Sequence, residues 1–167
     1  MKPFFIGNIE IKTPIIQGGM GVGISLSGLA SAVANEGGIG VISCAGLGLL
    51  YPKGKGDYTE KCICGLKEEI RKARQKTKGI IGVNIMVVTR RYEDYVKAAV
   101  AAGVDCIVSG AGLPMNLPEI VHKAEEVLAA SGIRRATKLV PIVSTRKALD
   151  VIIKYWKKKY DTTPDKG

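Results

Sequence analysis

Residues 13–23 read TPIIQGGMGVG, an apolar, strand-like run followed directly by four glycines and a methionine. Glycine has no side chain, so the main chain after the strand is free to lie close to a flat or phosphorylated ligand. A tight turn also uses glycine, but rarely at four of six positions. The stretch therefore predicts a buried strand that ends at a ligand site.

A short apolar strand followed by a helix recurs along the chain. The sequence first predicts an N-terminal hairpin with Gly7-Asn8 at its turn. Five strands are then predicted, at residues 13–18, 39–43, 80–88, 104–112 and 138–144. A helix is expected after each strand, with N-caps at Ser27, Asn116 and Thr145. The strands are apolar throughout, which is typical of a parallel sheet covered by helices on both faces.

Two α/β architectures fit this pattern, an open doubly wound sheet and a barrel of eight strand–helix units. A barrel needs about 250 residues, whereas this chain has 167 and reaches DTTPDKG where a sixth strand would begin. We interpret residues 1–167 as one domain. It is either a complete five-stranded open sheet or the first five units of a longer barrel, and periodicity does not separate these two.

The composition is that of an ordinary globular protein, with 46% hydrophobic and 24% charged residues. No apolar run approaches the ~20 residues of a membrane span, and the N-terminus lacks the apolar core of a secretory signal. Four cysteines without a disulfide-rich composition favour reduced thiols and a cytoplasmic protein. We therefore expect no membrane partner.

The net charge of +10 raises the question of a nucleic-acid partner. Residues 134–167 carry ten basic and three acidic side chains, so most of the excess lies late in the chain. The lysines of KYWKKKY in this segment are typical of the solvated face of an amphipathic helix. We therefore predict no nucleic-acid partner.

Ligands of parallel α/β folds collect at the carboxyl ends of the strands. In this sequence those ends hold small, amide-bearing or hydroxyl residues, and none holds a carboxylate or a histidine. Such a rim offers peptide groups and neutral donors, which suit a planar polar cofactor but supply no titratable acid or base. The strand-end segments are 18–21, 43–46, 84–86, 109–112 and 144–145.

Other common sites are disfavoured. The sequence contains neither GxGxxG nor GxxxxGK[ST], so a dinucleotide fold and a P-loop lose support. Cys62 and Cys64 are spaced like part of a metal motif, but Cys44, Cys106 and His122 fall in other elements, so we predict no metal site. His122 lies in a predicted helix away from the strand ends and is interpreted as a surface or packing residue.

Three segments carry a family resemblance: PIIQGGMGVGISLSGLASAVANEGGIGVIS, GVNIMVV and AAGVDCIVSGAGLP. Together they resemble the FMN-dependent nitronate monooxygenases, formerly called 2-nitropropane dioxygenases. The flavin-type enoyl-acyl-carrier-protein reductases are close relatives with the same signatures. The resemblance covers nearly the whole chain, from about residue 4 to residue 165.

The resemblance implies a TIM-type (β/α)8 barrel that binds FMN at its carboxyl face, with only about the first five units present in this chain. The main chain around Gly18, Gly19 and Met20 would line the flavin ring. The amide of Asn84 would reach the flavin or its ribityl chain. The remaining candidate contacts are Ser109 and Gly110, where many relatives carry a glutamine, and Ser144.

In the family, the catalytic histidine comes from a GGH segment beyond the sixth strand, and loops after strands seven and eight hold the FMN phosphate. This sequence contains none of these, so no catalytic residue is assigned and strands 6–8 are expected to be absent. The prediction is an FMN-dependent oxidoreductase that oxidises alkyl nitronates with O2, inactive as these 167 residues alone.

Two other functions stay open at this point. One is the reduction of enoyl thioesters with a nicotinamide donor, and the other is a non-catalytic five-stranded binding module. Both enzyme interpretations imply a small-molecule substrate as the partner, and the formation of a homo-oligomer is left open.

Overall fold

A computed structural model describes residues 2–52 and 56–165 of the chain. Within these residues the strands are β1 (Phe4–Ile6), β2 (Ile9–Ile11), β3 (Ile39–Ser43), β4 (Ile80–Met86), β5 (Cys106–Gly110) and β6 (Lys138–Pro141). The helices are α1 (Ser27–Asn35), α2 (Leu47–Leu50), α3 (Tyr58–Lys76), α4 (Tyr92–Ala102), α5 (Leu117–Ala130) and α6 (Arg146–Tyr160). All five predicted helices and four of the five predicted parallel strands are therefore present.

The parallel sheet has the spatial order β3-β4-β5-β6. The predicted first strand joins the free side of β3 through an isolated parallel bridge between Ile16 and Ile39. Two backbone hydrogen bonds hold it there: Gln17 N–H donates to Ile39 C=O at 3.0 Å, and Ile39 N–H donates to Ile15 C=O at 2.9 Å. The predicted strand at 13–18 is thus reduced to a bridge, because glycines follow it at once.

Spatial order equals chain order across all five parallel positions. A doubly wound sheet reverses its strand order at a switch point, whereas a barrel adds each new strand on the same side. The order found here is that of a barrel segment. Asp165 lies beside β6, since its N–H donates to Leu139 C=O at 3.2 Å.

The two faces of the sheet pack into separate cores. Odd positions of β4, such as Ile81 and Val83, lie under the helices. The opposite, inner face packs against the β1–β2 hairpin and forms its own cluster, whose buried members are Ile6, Ile11, Ile39, Val41, Cys106 and Val108. Because strand side chains alternate, Asn84 and Met86 lie on this inner face.

Local sequence signals explain several element ends. Gly7 adopts a φ of +57° between β1 and β2, which confirms the predicted hairpin turn. Thr145 caps α6 as predicted, since its hydroxyl accepts a hydrogen bond from Ala148 N–H at 3.1 Å. Asn116 occupies the N-cap position of α5, but its side chain makes no capping hydrogen bond.

The prediction of Ser27 as an N-cap is wrong. Leu26 is the N-cap of α1, and Ser27 is its first helical residue. The reason is a distant carboxylate: the Ser27 N–H donates to Glu69 Oε2 at 2.8 Å. The glycine-rich connection after β3 also differs from expectation, because it contains the short helix α2; its residues 53–55 lie outside the described residues.

Glu69 is buried and joins three helices. Besides Ser27, its carboxylate accepts hydrogen bonds from the Tyr51 hydroxyl, at the end of α2, and from Lys72 Nζ at 3.1 Å. Burial by itself raises the pKa of Glu69, but the hydrogen bonds from Tyr51, Ser27 and Lys72 outweigh it and lower the pKa to about 2. The ionised form is therefore the one that the fold stabilises.

No helix in residues 2–52 and 56–165 is both long and apolar enough to cross a membrane.

We predict that Glu69→Gln lowers the free energy of unfolding at about pH 7 by on the order of 3 kcal/mol. Because the folded-state pKa lies below the ordinary value of 4.5, the contribution of the charge is complete above about pH 4.5 and is lost as the pH falls towards about 2. Urea unfolding followed by circular dichroism should therefore show the difference between the two proteins narrowing below about pH 4.5.

The matched control is Glu68→Gln, which changes a neighbouring carboxylate that pairs with Arg71 at the surface. This control should change stability little at any of these pH values. A Glu69→Gln deficit that is independent of pH would contradict the role of the charge.

Candidate functional site

The glycine turn after the first strand packs on the inner face of the sheet. A Cβ atom on Gly19 would overlap the side chain of Asn84, and one on Gly21 would lie 3.0 Å from Cβ of Ala45. The Val22 N–H donates to Ala45 C=O at 2.9 Å, which ties the turn to the loop after β3. The structure thus brings the predicted residues Gly19 and Asn84 into contact.

Gly18 has a different environment. No heavy atom of the described chain lies within 4 Å of the position that a Cβ would take, and its φ is ordinary. Among the described glycines only Gly28, in the first turn of α1, shares both properties. Neither packing nor backbone conformation in these residues accounts for glycine at position 18, so the space beside it is available to a ligand.

Several peptide groups of the turn are free to bind a ligand. Within residues 2–52 and 56–165, the N–H groups of Gly18, Gly19 and Gly21 donate to no protein acceptor. The side-chain amide of Asn84 is half-buried and likewise makes no hydrogen bond to a described residue. Unused donors beside an open space are the expected features of a site that binds a polar planar molecule.

Sequence reasoning missed two residues that shape the turn, Gln17 and Ser25. The Gln17 amide donates to Val41 C=O at 2.9 Å and accepts from Val41 N–H at 3.3 Å. The Ser25 hydroxyl is fully buried and accepts a hydrogen bond from Met20 N–H at 2.9 Å. The available signal was a polar residue at each end of an otherwise apolar and glycine-rich run.

The structure does not bring the Ser109 side chain to the rim. Its buried hydroxyl donates to Ile85 C=O at 3.0 Å and lies 2.7 Å from the Tyr92 hydroxyl of α4. Since the Ser109 proton is used, Tyr92 is the donor, and burial raises the pKa of Tyr92 to about 12, which keeps it protonated. Its C=O is also used, since it accepts from Ile142 N–H at 2.7 Å, so the predicted cofactor contact at Ser109 has no support in the structure.

The other predicted residues lie at strand ends as expected, without contacts that join them into one cluster. Met20 is 50% exposed, and its amide is held by Ser25. Gly110 ends β5, where its C=O accepts from Val87 N–H at 2.8 Å. Ser144 is exposed between β6 and α6. Met86, on the inner face, is 39% exposed and thus is not a core residue.

Backbone strain is concentrated in loops that follow the strands. Val22, a β-branched residue, has a φ of +51°, and Ala111 after β5 has a φ of +53°. L-residues with a Cβ rarely adopt this region, and such residues cluster at ligand sites. Gly46 (φ +81°) packs against Val22 and helps to hold it.

Among the described residues, the rim holds no group of side chains that could form a metal centre and no acid–base pair. Cys62 and Cys64 are two positions apart on α3, so one is buried and the other exposed. No three His, Cys, Asp or Glu side chains of the described residues are grouped to hold a metal ion. Burial raises the pKa of Cys44, next to the end of β3, to about 12, so its thiol is protonated. His122 is exposed on α5, 3.3 Å from Glu126.

Fold and site together define a parallel α/β barrel protein that presents bare peptide groups at the carboxyl ends of its strands. Comparison with known proteins agrees. A family model described as nitronate monooxygenase matches residues 2–107. The chain belongs to the nitronate monooxygenase family, whose members are flavin-dependent oxidoreductases.

Solved structures support the same fold. FabK from Thermotoga maritima is 27% identical, with a TM-score of 0.63; the match covers 87% of this chain and 38% of FabK. A point mutant of that FabK is 26% identical, with a TM-score of 0.64, and the match covers 87% of this chain and 40% of the mutant. The chain thus spans about two fifths of the length of these proteins. No curated protein matches it.

We predict opposite effects for two adjacent glycines. Gly19→Ala places a methyl group inside the side chain of Asn84 and should lower the free energy of unfolding by about 1–3 kcal/mol. Gly18→Ala places the same group in open space and should leave stability unchanged or raise it by about 0.4–1 kcal/mol. Urea unfolding of both variants beside the unsubstituted chain is the measurement, and equal losses would contradict the assigned packing.

Proposed function

We propose that this chain forms the flavin seat of an FMN-dependent oxidoreductase of the nitronate monooxygenase type. The observation that carries the proposal is the open space at Gly18, beside unused N–H groups of the glycine turn and the unpaired amide of Asn84. Family membership supplies the class of cofactor, a flavin. FMN and an alkyl nitronate are the specific cofactor and substrate that we infer.

The residues present fit a flavin. Gly18 leaves the side of the turn bare, so that a flat ring can approach the main chain to contact distance. The amides of Gly19 and Gly21 are donors suited to ring heteroatoms, and Asn84 offers both a donor and an acceptor from the inner face. Met20 and Met86 are exposed beside them and can cover the ring with apolar surface.

The strand-end segments contain no charged side chain, and this limits the roles that their residues can play. The chemistry that FMN supplies when bound is acceptance of electrons from the nitronate and their transfer to O2. The strand-end side chains of this chain bind and orient, but none is a carboxylate or histidine that could hold a proton. We infer that the catalytic base and the phosphate site lie outside these residues, and that the chain alone binds flavin weakly without turnover.

We predict that Gly18→Ala weakens flavin binding without loss of stability. The added methyl group occupies the space that the ring would use, so the Kd for FMN should rise about tenfold or more, equivalent to about 1.4 kcal/mol. Titration of the chain into FMN, followed by flavin fluorescence, measures the Kd.

Gly28→Ala is the matched control, because its methyl group also enters open space but lies on α1. This control should leave the Kd unchanged. Equal affinities of the two variants, or no flavin binding by the unsubstituted chain at any concentration reached, would contradict the proposed seat.

The second candidate is a flavin-dependent enoyl thioester reductase that uses a nicotinamide donor. GVNIM and SGAGLP fit such enzymes about equally well, and both solved structures reported above are of FabK.

We expect a protein that contains this chain together with the rest of its barrel to oxidise propyl-2-nitronate with consumption of O2. Reduction of an enoyl thioester without any nitronate oxidation would select the second candidate instead.

A further inference from the structure

The Ser25 hydroxyl has every hydrogen-bonding position filled by the glycine turn. It is fully buried. It donates to Gly18 C=O at 3.0 Å and accepts from Met20 N–H at 2.9 Å and from Gln17 Nε2 at 3.0 Å. A buried hydroxyl with three partners in one short segment fixes the path of that segment.

The main chain of Ser25 adds two further ties. Its N–H donates to Met20 C=O at 3.0 Å, and its C=O accepts from Ser43 N–H of β3 at 3.0 Å. Gln17 in turn bonds both peptide groups of Val41 on the same strand. We refer to Gln17 and Ser25 as the turn clamp; it fastens the glycine turn to β3 at both ends.

Because peptide groups are planar, these contacts also fix the directions in which the neighbouring N–H groups point. In a trans peptide the C=O and the following N–H point in opposite directions. Gly18 C=O points at the Ser25 hydroxyl, so the Gly19 N–H points away from it. Met20 C=O points at the Ser25 N–H, so the Gly21 N–H also points away. Both of these N–H groups lack a protein acceptor in the described residues.

We propose that Ser25 is a positioning residue that aims the N–H groups of Gly19 and Gly21 out of the turn towards the bound ligand. The inference rests on the proposed flavin seat for the identity of that ligand. The directional role itself is a property of the chain without flavin. One buried side chain thereby pre-orders two donors on a glycine segment that would otherwise lose considerable entropy on binding.

The test compares Ser25→Ala with Ser31→Ala. Ser31 is also a buried serine, 4% exposed, but its hydroxyl donates to Gly28 C=O within α1 at 3.0 Å and not to the glycine turn. Two quantities are measured for each variant: the Kd for FMN, and the exchange rates of the Gly19 and Gly21 amide protons by NMR in the flavin-free chain. Ser25→Cys, which keeps the shape with a somewhat larger atom and donates weakly, replaces Ser25→Ala if the latter does not fold.

We expect Ser25→Ala to raise the Kd for FMN by about tenfold or more and to shift the Gly19 and Gly21 resonances and speed their exchange. Ser31→Ala should change neither quantity. Flavin binding that is weakened equally by both variants would overturn the positioning role and leave the proposed function intact.

A third outcome separates the two proposals. If the unsubstituted chain binds no FMN, the proposed function fails, and the NMR comparison alone decides the role of Ser25. Altered Gly19 and Gly21 amides in Ser25→Ala, but not in Ser31→Ala, would then support the clamp, whereas unchanged amides would overturn it.

Discussion

Helix α1 lies directly on the main chain of the sheet, and the geometry of the candidate site depends on this close approach. A Cβ atom on Gly40 of β3, or on Gly79 just before β4, would overlap backbone carbonyl groups of α1. The face that α1 presents carries only small buried side chains: Ser27, Ala30, Ser31 and Ala34. Glycines in the sheet and small side chains on α1 allow this close approach. Any larger side chain would push the helix away from the sheet. The start of α1 and the end of the glycine turn are therefore fixed together.

The close contact between α1 and the sheet links the glycine turn to residues far along the chain. Ser25 stands two residues before α1, and its C=O is bonded by Ser43 of β3. The first N–H of α1 is held by Glu69, which α3 supplies and which Tyr51 and Lys72 keep ionised. A buried carboxylate at a helix N-terminus stabilises both the helix and its own charge. The shape of the site thus depends on an ionic network at the N-terminus of α1.

Local chemistry explains what could be predicted from the sequence. The Gly7-Asn8 turn, the Thr145 cap and the strand at 39–43 depend on neighbours in the chain, and all three are confirmed. The prediction for Ser27 is wrong because its N–H partner is 42 residues away. The sequence predicts Ser109 at the rim because the strands are apolar without alternation, so the sequence alone does not tell which of two adjacent residues faces the helices. The same holds for the site. The glycine content predicts the turn, whereas its buried partners Gln17 and Ser25 are not predicted from the sequence.

Backbone conformation explains only one of the four glycines in the turn. Glycine is the residue that tolerates positive φ, and Gly23 has a φ of +86°, yet Gly18, Gly19 and Gly21 have ordinary φ values, while Val22 adopts +51°. Contact with Asn84 accounts for Gly19 and contact with Ala45 accounts for Gly21, but nothing in the described chain accounts for Gly18. Glycine where it is conformationally unnecessary, and valine where it is strained, are what the proposed flavin seat predicts for this turn. A flat ring resting on peptide groups requires that arrangement: bare backbone on the contact side and apolar bulk at the margin.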